Sequence, residues 1–266
     1  MSGAGTPRGQ SIGYRNLARS EWTKLISVRS TYWTAIVAVL ATVALGALIC
    51  ARMAGLINSG RESVGSFDPT TFSLNGIYLA QIAAGALGVL VISSEYGTGM
   101  IRATLAAVPQ RLAVLGSKGV VFASATLLLG ELMSFAAFGT GQALLARAHA
   151  GASLSDPGTL RAVLGAGLYL TVVGLLGFGI GALIRHSAGA LSAFFGVLFV
   201  PSVIVDLLPA SWHDAINYMP ANAGSQIFAV QHSSGALSPW AGFGVFCGYA
   251  AIALVAGAVL MLRRDS

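Results

Sequence analysis

Along the chain, apolar residues run in long unbroken stretches, and charged residues fall almost entirely between them. Charge-free windows occupy about residues 31–51, 73–93, the stretch between Arg161 and Arg185, and 240–262; a fifth at 187–208 carries Pro201 inside it and Asp206 near its end, and a sixth at 119–146 is interrupted only by Glu131. An α-helix needs about 20 mostly apolar residues to cross roughly 30 Å of hydrocarbon, so each window is of spanning length. None shows the strict polar/apolar alternation of a barrel strand, and a helix satisfies its own backbone polar groups within a bilayer. The pattern predicts an all-α, polytopic bundle of six transmembrane helices.

Composition agrees with the pattern. Hydrophobic residues make up 55% of the 266 and charged residues 9%, against about 25% charged in a soluble globular chain, and the mean hydropathy is +0.77. About 30 polar and basic residues precede the first apolar run, which is itself of spanning length. A cleaved secretory signal is therefore a poor reading of the start. The chain divides into a polar arm and interface helix (1–30) and a six-span domain (31–266), with polar connections at 94–118 and 209–239.

Basic residues are distributed unevenly between the two sides that six spans define. Arg8, Arg15, Arg19, Lys24, Arg29, Arg102, Arg111, Lys118, Arg185, Arg263 and Arg264 share one side, while Arg52, Arg61, Arg147 and Arg161 share the other. The positive-inside rule puts the first set, and both termini, in the cytoplasm. Basic residues beside anionic headgroups also account for the net charge of +6 without a nucleic-acid partner. Cys50 and Cys247 lie in or beside spans, far from metal-type spacing, and read as small packing residues.

Residues 11–30 are too polar to span. At 100° per residue, Tyr14, Leu17, Ala18, Trp22, Leu25 and Val28 share one arc, as in an amphipathic helix lying in the headgroup layer with Trp22 and Trp33 as anchors. Glu21 falls inside that apolar arc. It either pairs with Lys24 three residues on or serves a neighbouring cytoplasmic element or partner.

Between the second and third spans lies a polar, basic island, 93–118. Gly97 and Gly99 permit a sharp turn after Ser94 and Glu95; Met100, Ile101, Thr104, Leu105 and Val108 then space like one face of a short helix that Pro109 stops. The plain reading is an ordered connection whose Arg102, Arg111 and Lys118 are positive-inside charges.

The order Glu95-Tyr96-Gly97-Thr98-Gly99, then Arg102, Pro109 and Arg111, then Gly116 and Lys118 entering a long span, resembles the coupling segment of type-2 ATP-binding cassette exporter permeases. Glu21-Trp22-Thr23-Lys24-Leu25, followed by Ser27 to Trp33 with Arg29 between, is similar to the N-terminal interface helix of actinobacterial members. With six spans, the resemblance covers nearly the whole chain. It implies a multi-pass protein of the bacterial plasma membrane that exports cargo, driven by a separate cytoplasmic ABC ATPase. That partner would dock on the interface helix (Glu21, Trp22, Lys24, Arg29) and the coupling segment (Glu95, Gly97, Thr98, Arg102, Pro109, Arg111). The resemblance further implies a pair of permeases, identical or related, and an outer hairpin at 209–239.

The chain itself reads as no enzyme and as binding no cofactor directly. It lacks a G-x-x-x-x-G-K-[ST] phosphate loop; Leu115-Gly116-Ser117-Lys118-Gly119 has neither the glycine spacing nor the hydroxyl after lysine, so ATP is expected to act through the partner. The spans are rich in Ala, Gly, Leu, Val and Phe, which suits a hydrophobic or amphipathic cargo such as a drug, antibiotic, peptide or lipid, and equally suits helix packing. Glu131, the one acidic residue near mid-span, is a functional candidate by position. It could bond to Gln81 or Thr171, or serve an ion- or proton-coupled transporter or a membrane-embedded enzyme instead. An enzyme would need further catalytic groups at its depth. His213, Asp214 and His232 are too loosely spaced for a metal site, while the short apolar pieces of 209–239 suit re-entrant or interfacial helices.

Overall fold

The computed structural model describes residues 19, 22–23, 29–64, 67–97, 99–100, 110–205, 210–231 and 235–264. They form helices and turns with no strand among them, and six helical segments are long and apolar enough to cross a membrane. In chain order the helices are α1 (Arg29–Asn58), α2 (Pro69–Leu74), α3 (Ile77–Gly97), α4 (Arg111–Leu145), α5 (Thr159–Ile184), α6 (Ser187–Val205), α7 (Pro220–Ser225) and α8 (Pro239–Arg264). A 3₁₀ stretch, Ala210–Tyr218, precedes α7.

The described residues of all six apolar windows are almost wholly helical, and several helices outrun their windows. α1 continues past Arg52 to Asn58, and α4 begins at Arg111 rather than near Gly119. A charged residue ends an apolar window without ending a helix: Arg111 and Lys118 both belong to α4, whose first turns bury Ala113, Val114 and Leu115. The second span is a bent element. Asp68 caps α2, accepting from the Thr70 amide at 3.0 Å, with Pro69 at the first helical position, where its missing N–H costs nothing. The chain then breaks at Asn75–Gly76 before α3, where a side chain on Gly76 would collide with the Thr42 carbonyl of α1.

α5 is the centre of the bundle. Of its most apolar window 72% is buried, against 17% for those of α1 and α6. It packs against α3, α4 and α8, closely enough that glycine is required at the crossings. A Cβ on Gly88 would stand 2.1 Å from the Gly174 carbonyl oxygen, and one on Gly177 would stand 2.3 Å from that of Gly85. Such approach lets dispersion hold helices together where lipid removes the hydrophobic drive between them. Tyr169, Phe194, Phe228 and Phe246 fill the core, and the Tyr169 hydroxyl donates to Gln81 Oε1.

α7 and the turn after it lie against one end of the bundle. Ala223 and Ile227 are fully buried, and Phe228 packs edge-on against Tyr78 and Tyr169. Gly224 leaves room for the Phe246 and Tyr169 rings. At the same end Gln142 joins three pieces, donating to Pro69 O at 3.0 Å and Ser73 Oγ at 2.8 Å and accepting from the Ala152 amide at 2.7 Å.

Candidate functional site

Four chain segments meet where the basic residues Arg111, Lys118, Arg185 and Arg263 gather, and each is positioned by a helix end. α3 delivers Ser93, Glu95 and Tyr96 in its last turn, and α4 delivers Arg111 and Lys118 in its first turns. Arg185 sits at the C-terminal cap of α5 in a left-handed conformation (φ 64°), its amide donating to Gly181 O at 3.0 Å. α8 ends there, and the last carbonyls of a helix have no partner within it.

Lys118 Nζ donates to Glu95 Oε1 at 2.8 Å, with the two side chains only 5% and 7% exposed. The pair fixes the end of α3 to the second turn of α4. Close by, the Ser93 and Ser187 hydroxyls bond at 2.9 Å, tying α3 to the start of α6. The Arg185 guanidinium lies 4.7 Å over the Tyr96 ring and donates to Leu260 O at 3.3 Å. Arg111 reaches Met261 O at 3.5 Å. Both cations thus sit at the negative end of the α8 dipole, a favourable placement.

Beyond Glu95 the chain turns sharply. Gly97 ends α3, and Gly99 adopts φ 71°, its amide donating to Tyr96 O at 3.2 Å; only glycine takes that conformation without strain. The sequence candidates divide accordingly. Glu95, Gly97 and Arg111 cluster here, while Thr98, Arg102 and Pro109 lie outside the described residues, as do Glu21 and Lys24. Arg29 opens α1. Trp22 is helical, 39% exposed, and lines a cleft with α1, α3 and α4.

Glu131 lies elsewhere, in the seam between α4 and α5, its carboxyl against the bare backbone of Gly167. Neither partner expected from the sequence is engaged, since Gln81 bonds Tyr169 and the Thr171 hydroxyl donates to Gly167 O at 2.9 Å. Its Oε2 is buried without a hydrogen bond. Among the described residues no three His, Cys, Asp or Glu gather as metal ligands; the side chains of His213 and His232 are not among those described.

Two features escaped the sequence reading. Lys118 counted as a topological charge and as the end of the coupling-segment resemblance, not as a partner of Glu95, although an acid and a base flanking one helix-turn-helix connection are a signal for a pair across it. Arg161 likewise counted as the boundary of a span and one of the four basic residues on its side. Its guanidinium donates to Ile227 O at 2.7 Å and Ala229 O at 2.9 Å, holding the turn after α7 onto α5.

No family model matches the chain, and a search of curated proteins finds no match. The fold and the cluster define a multi-pass helical membrane protein with its charged side chains concentrated at the helix ends.

Proposed function

We propose that the chain is the membrane-spanning permease subunit of an ATP-driven exporter of the type-2 ABC kind, coupled through residues 94–118 to a separate cytoplasmic ATPase. The observation that supports this reading best is the Glu95–Lys118 pair. It joins α3 and α4 at the base of the polar connection between them, so that force applied to residues 98–109 would reach both spans together. The Arg185–Tyr96 and Arg111–Met261 contacts would carry the same displacement to α5 and α8. On this reading Glu95 acts inside the lever, and the ATPase meets the turn beyond it, at Thr98 and Arg102, and the arm around Glu21 and Trp22.

In the same reading both termini are cytoplasmic, a second permease chain completes the pathway, and 209–239 forms an outer hairpin held by Arg161. The cargo is hydrophobic or amphipathic, in keeping with spans built from Ala, Gly, Leu, Val and Phe. Purification in mild detergent tests the core of it. A soluble protein carrying a phosphate loop should accompany the chain and hydrolyse ATP, whereas transport by the chain alone in ATP-free vesicles would exclude the reading.

Ion- or proton-coupled transport is the second reading, favoured by the buried, unbonded Oε2 of Glu131. Replacement of Glu131 by Gln separates the two, since a coupling carboxyl cannot be replaced by an amide without loss of transport.

A further inference from the structure

An apolar cleft of about 520 Å³ opens between the N-terminal half of α1, the C-terminal half of α3 and the middle of α4. Its volume falls within the roughly 300–1,000 Å³ of ligand pockets. Val39, Leu87, Val91, Phe122 and Leu129 are among its walls. Among the described residues Thr126 is its one polar wall residue besides the Trp22 indole, and the Thr126 hydroxyl is turned back onto Phe122 O at 2.9 Å. Little is left to bond a polar ligand.

The dimensions of the cleft narrow the ligand further. On α4 the wall runs from Phe122 to Leu132, ten helical rises or about 15 Å at 1.5 Å each, which is half of a hydrocarbon core of roughly 30 Å. The α3 wall stops one turn short of Glu95, so the cleft occupies the half of the bundle next to the basic cluster. Trp22 lines it, and close to Trp22 stands the exposed Arg19, whose carbonyl accepts from Thr23 Oγ1 at 2.9 Å.

We propose that this cleft is a lipid-binding site that holds one acyl chain of an anionic lipid from the leaflet at the basic end, with Arg19 beside the headgroup. Three helices enclose the tail, so the lipid exchanges more slowly than bulk lipid against the outer faces. The site is independent of whether the chain is driven by ATP.

The test uses the full chain reconstituted in vesicles that contain phosphatidylglycerol or phosphatidylcholine with a photoreactive diazirine in the acyl chain. Mass spectrometry then compares adducts on Val39, Leu87 and Leu129 with those on Leu160 and Leu164, which are exposed on α5. Cleft adducts should exceed the α5 adducts by about tenfold, the equivalent of roughly 1.4 kcal/mol, and phosphatidylglycerol should label better than phosphatidylcholine. Ala125→Phe, or Ala35→Phe on the opposite wall, should abolish cleft labelling while the α5 labelling persists as a control for folding. Arg19→Gln should remove the preference for the anionic lipid only. Equal labelling of cleft and α5 residues in both lipids, unchanged by either filling variant, would mean bulk bilayer contact only and overturn the proposal. So would efficient Val39→Cys crosslinking to a second copy of the chain, because the cleft would then hold protein.

Discussion

Glu95 and Lys118 form a buried ion pair, 2.8 Å between Oε1 and Nζ, across the connection that separates α3 from α4. Removing one partner of such a pair leaves an uncompensated charge and costs about 3–5 kcal/mol, whereas replacing both with apolar residues is often neutral. Glu95→Gln and Lys118→Met are each predicted to lower the unfolding temperature in detergent. The double replacement Glu95→Met/Lys118→Met should recover most of the loss. A double-mutant cycle with no coupling energy would show that the pair does not hold the two helices.

Arg161 makes the corresponding tie at the other end. Hydrogen bonds from a charged donor are worth about 1.5–3 kcal/mol, and two short ones run from Arg161 to the carbonyls of Ile227 and Ala229. Arg161→Met should free the turn after α7, giving faster proteolysis and faster alkylation of a cysteine placed at Phe228, which is 1% exposed. Arg161→Lys should fall between, because a single ammonium cannot span both carbonyls as the guanidinium fork does.

The glycine crossings give a prediction with an internal control. Gly177→Val would drive a side chain into the Gly85 carbonyl and should cost at least about 1–3 kcal/mol. Gly244, on α8, has nothing within 4 Å of its built Cβ, and Gly244→Ala should be neutral or stabilising by up to about 1 kcal/mol. Equal effects at the two positions would refute the claim that close backbone approach assembles the bundle.

The positions of the spans were legible because hydropathy and length settle them before any tertiary contact is known. Helix ends were less so: charge stops an apolar window, but α4 runs through Arg111 and Lys118, and only Pro109 and the lack of a breaker after it hinted at this. The bend at Asn75–Gly76 has a local signal in its Asn-Gly dipeptide, hidden inside a long apolar window; the packing of Gly76 on Thr42, 34 positions earlier, has none. Ser94, Glu95, Gly97 and Gly99 announced a turn, and φ 71° at Gly99 is that turn. The pairing of Glu95 with Lys118 had a signal, an acid and a base on either side of one connection, but it went unread because both residues fitted the looser account of a docking surface and a topological charge. Arg161 was hidden for the same reason, its partners being backbone carbonyls that no side-chain pattern records.

Glu131 offers a narrower test. Its carboxyl fills the space left by Gly167, so Glu131→Gln conserves shape and should preserve expression and thermal stability. Gly167→Ala intrudes on the carboxyl and should reduce both, by about 1–3 kcal/mol in stability. If Glu131→Gln abolishes transport while leaving stability intact, the carboxyl takes part in transport, and ion or proton coupling replaces ATP coupling as the better reading.

The most direct measurement of ATP coupling is ATP hydrolysis by the protein purified from its own membranes, with residues 98–109 intact or replaced by a Gly/Ser linker of equal length. The account predicts a stoichiometric partner carrying a phosphate loop with the intact chain. Both the partner and the hydrolysis should be lost with the linker, while the Glu95–Lys118 pair keeps the bundle folded. A chain that purifies without such a partner and moves cargo in ATP-free vesicles would contradict it.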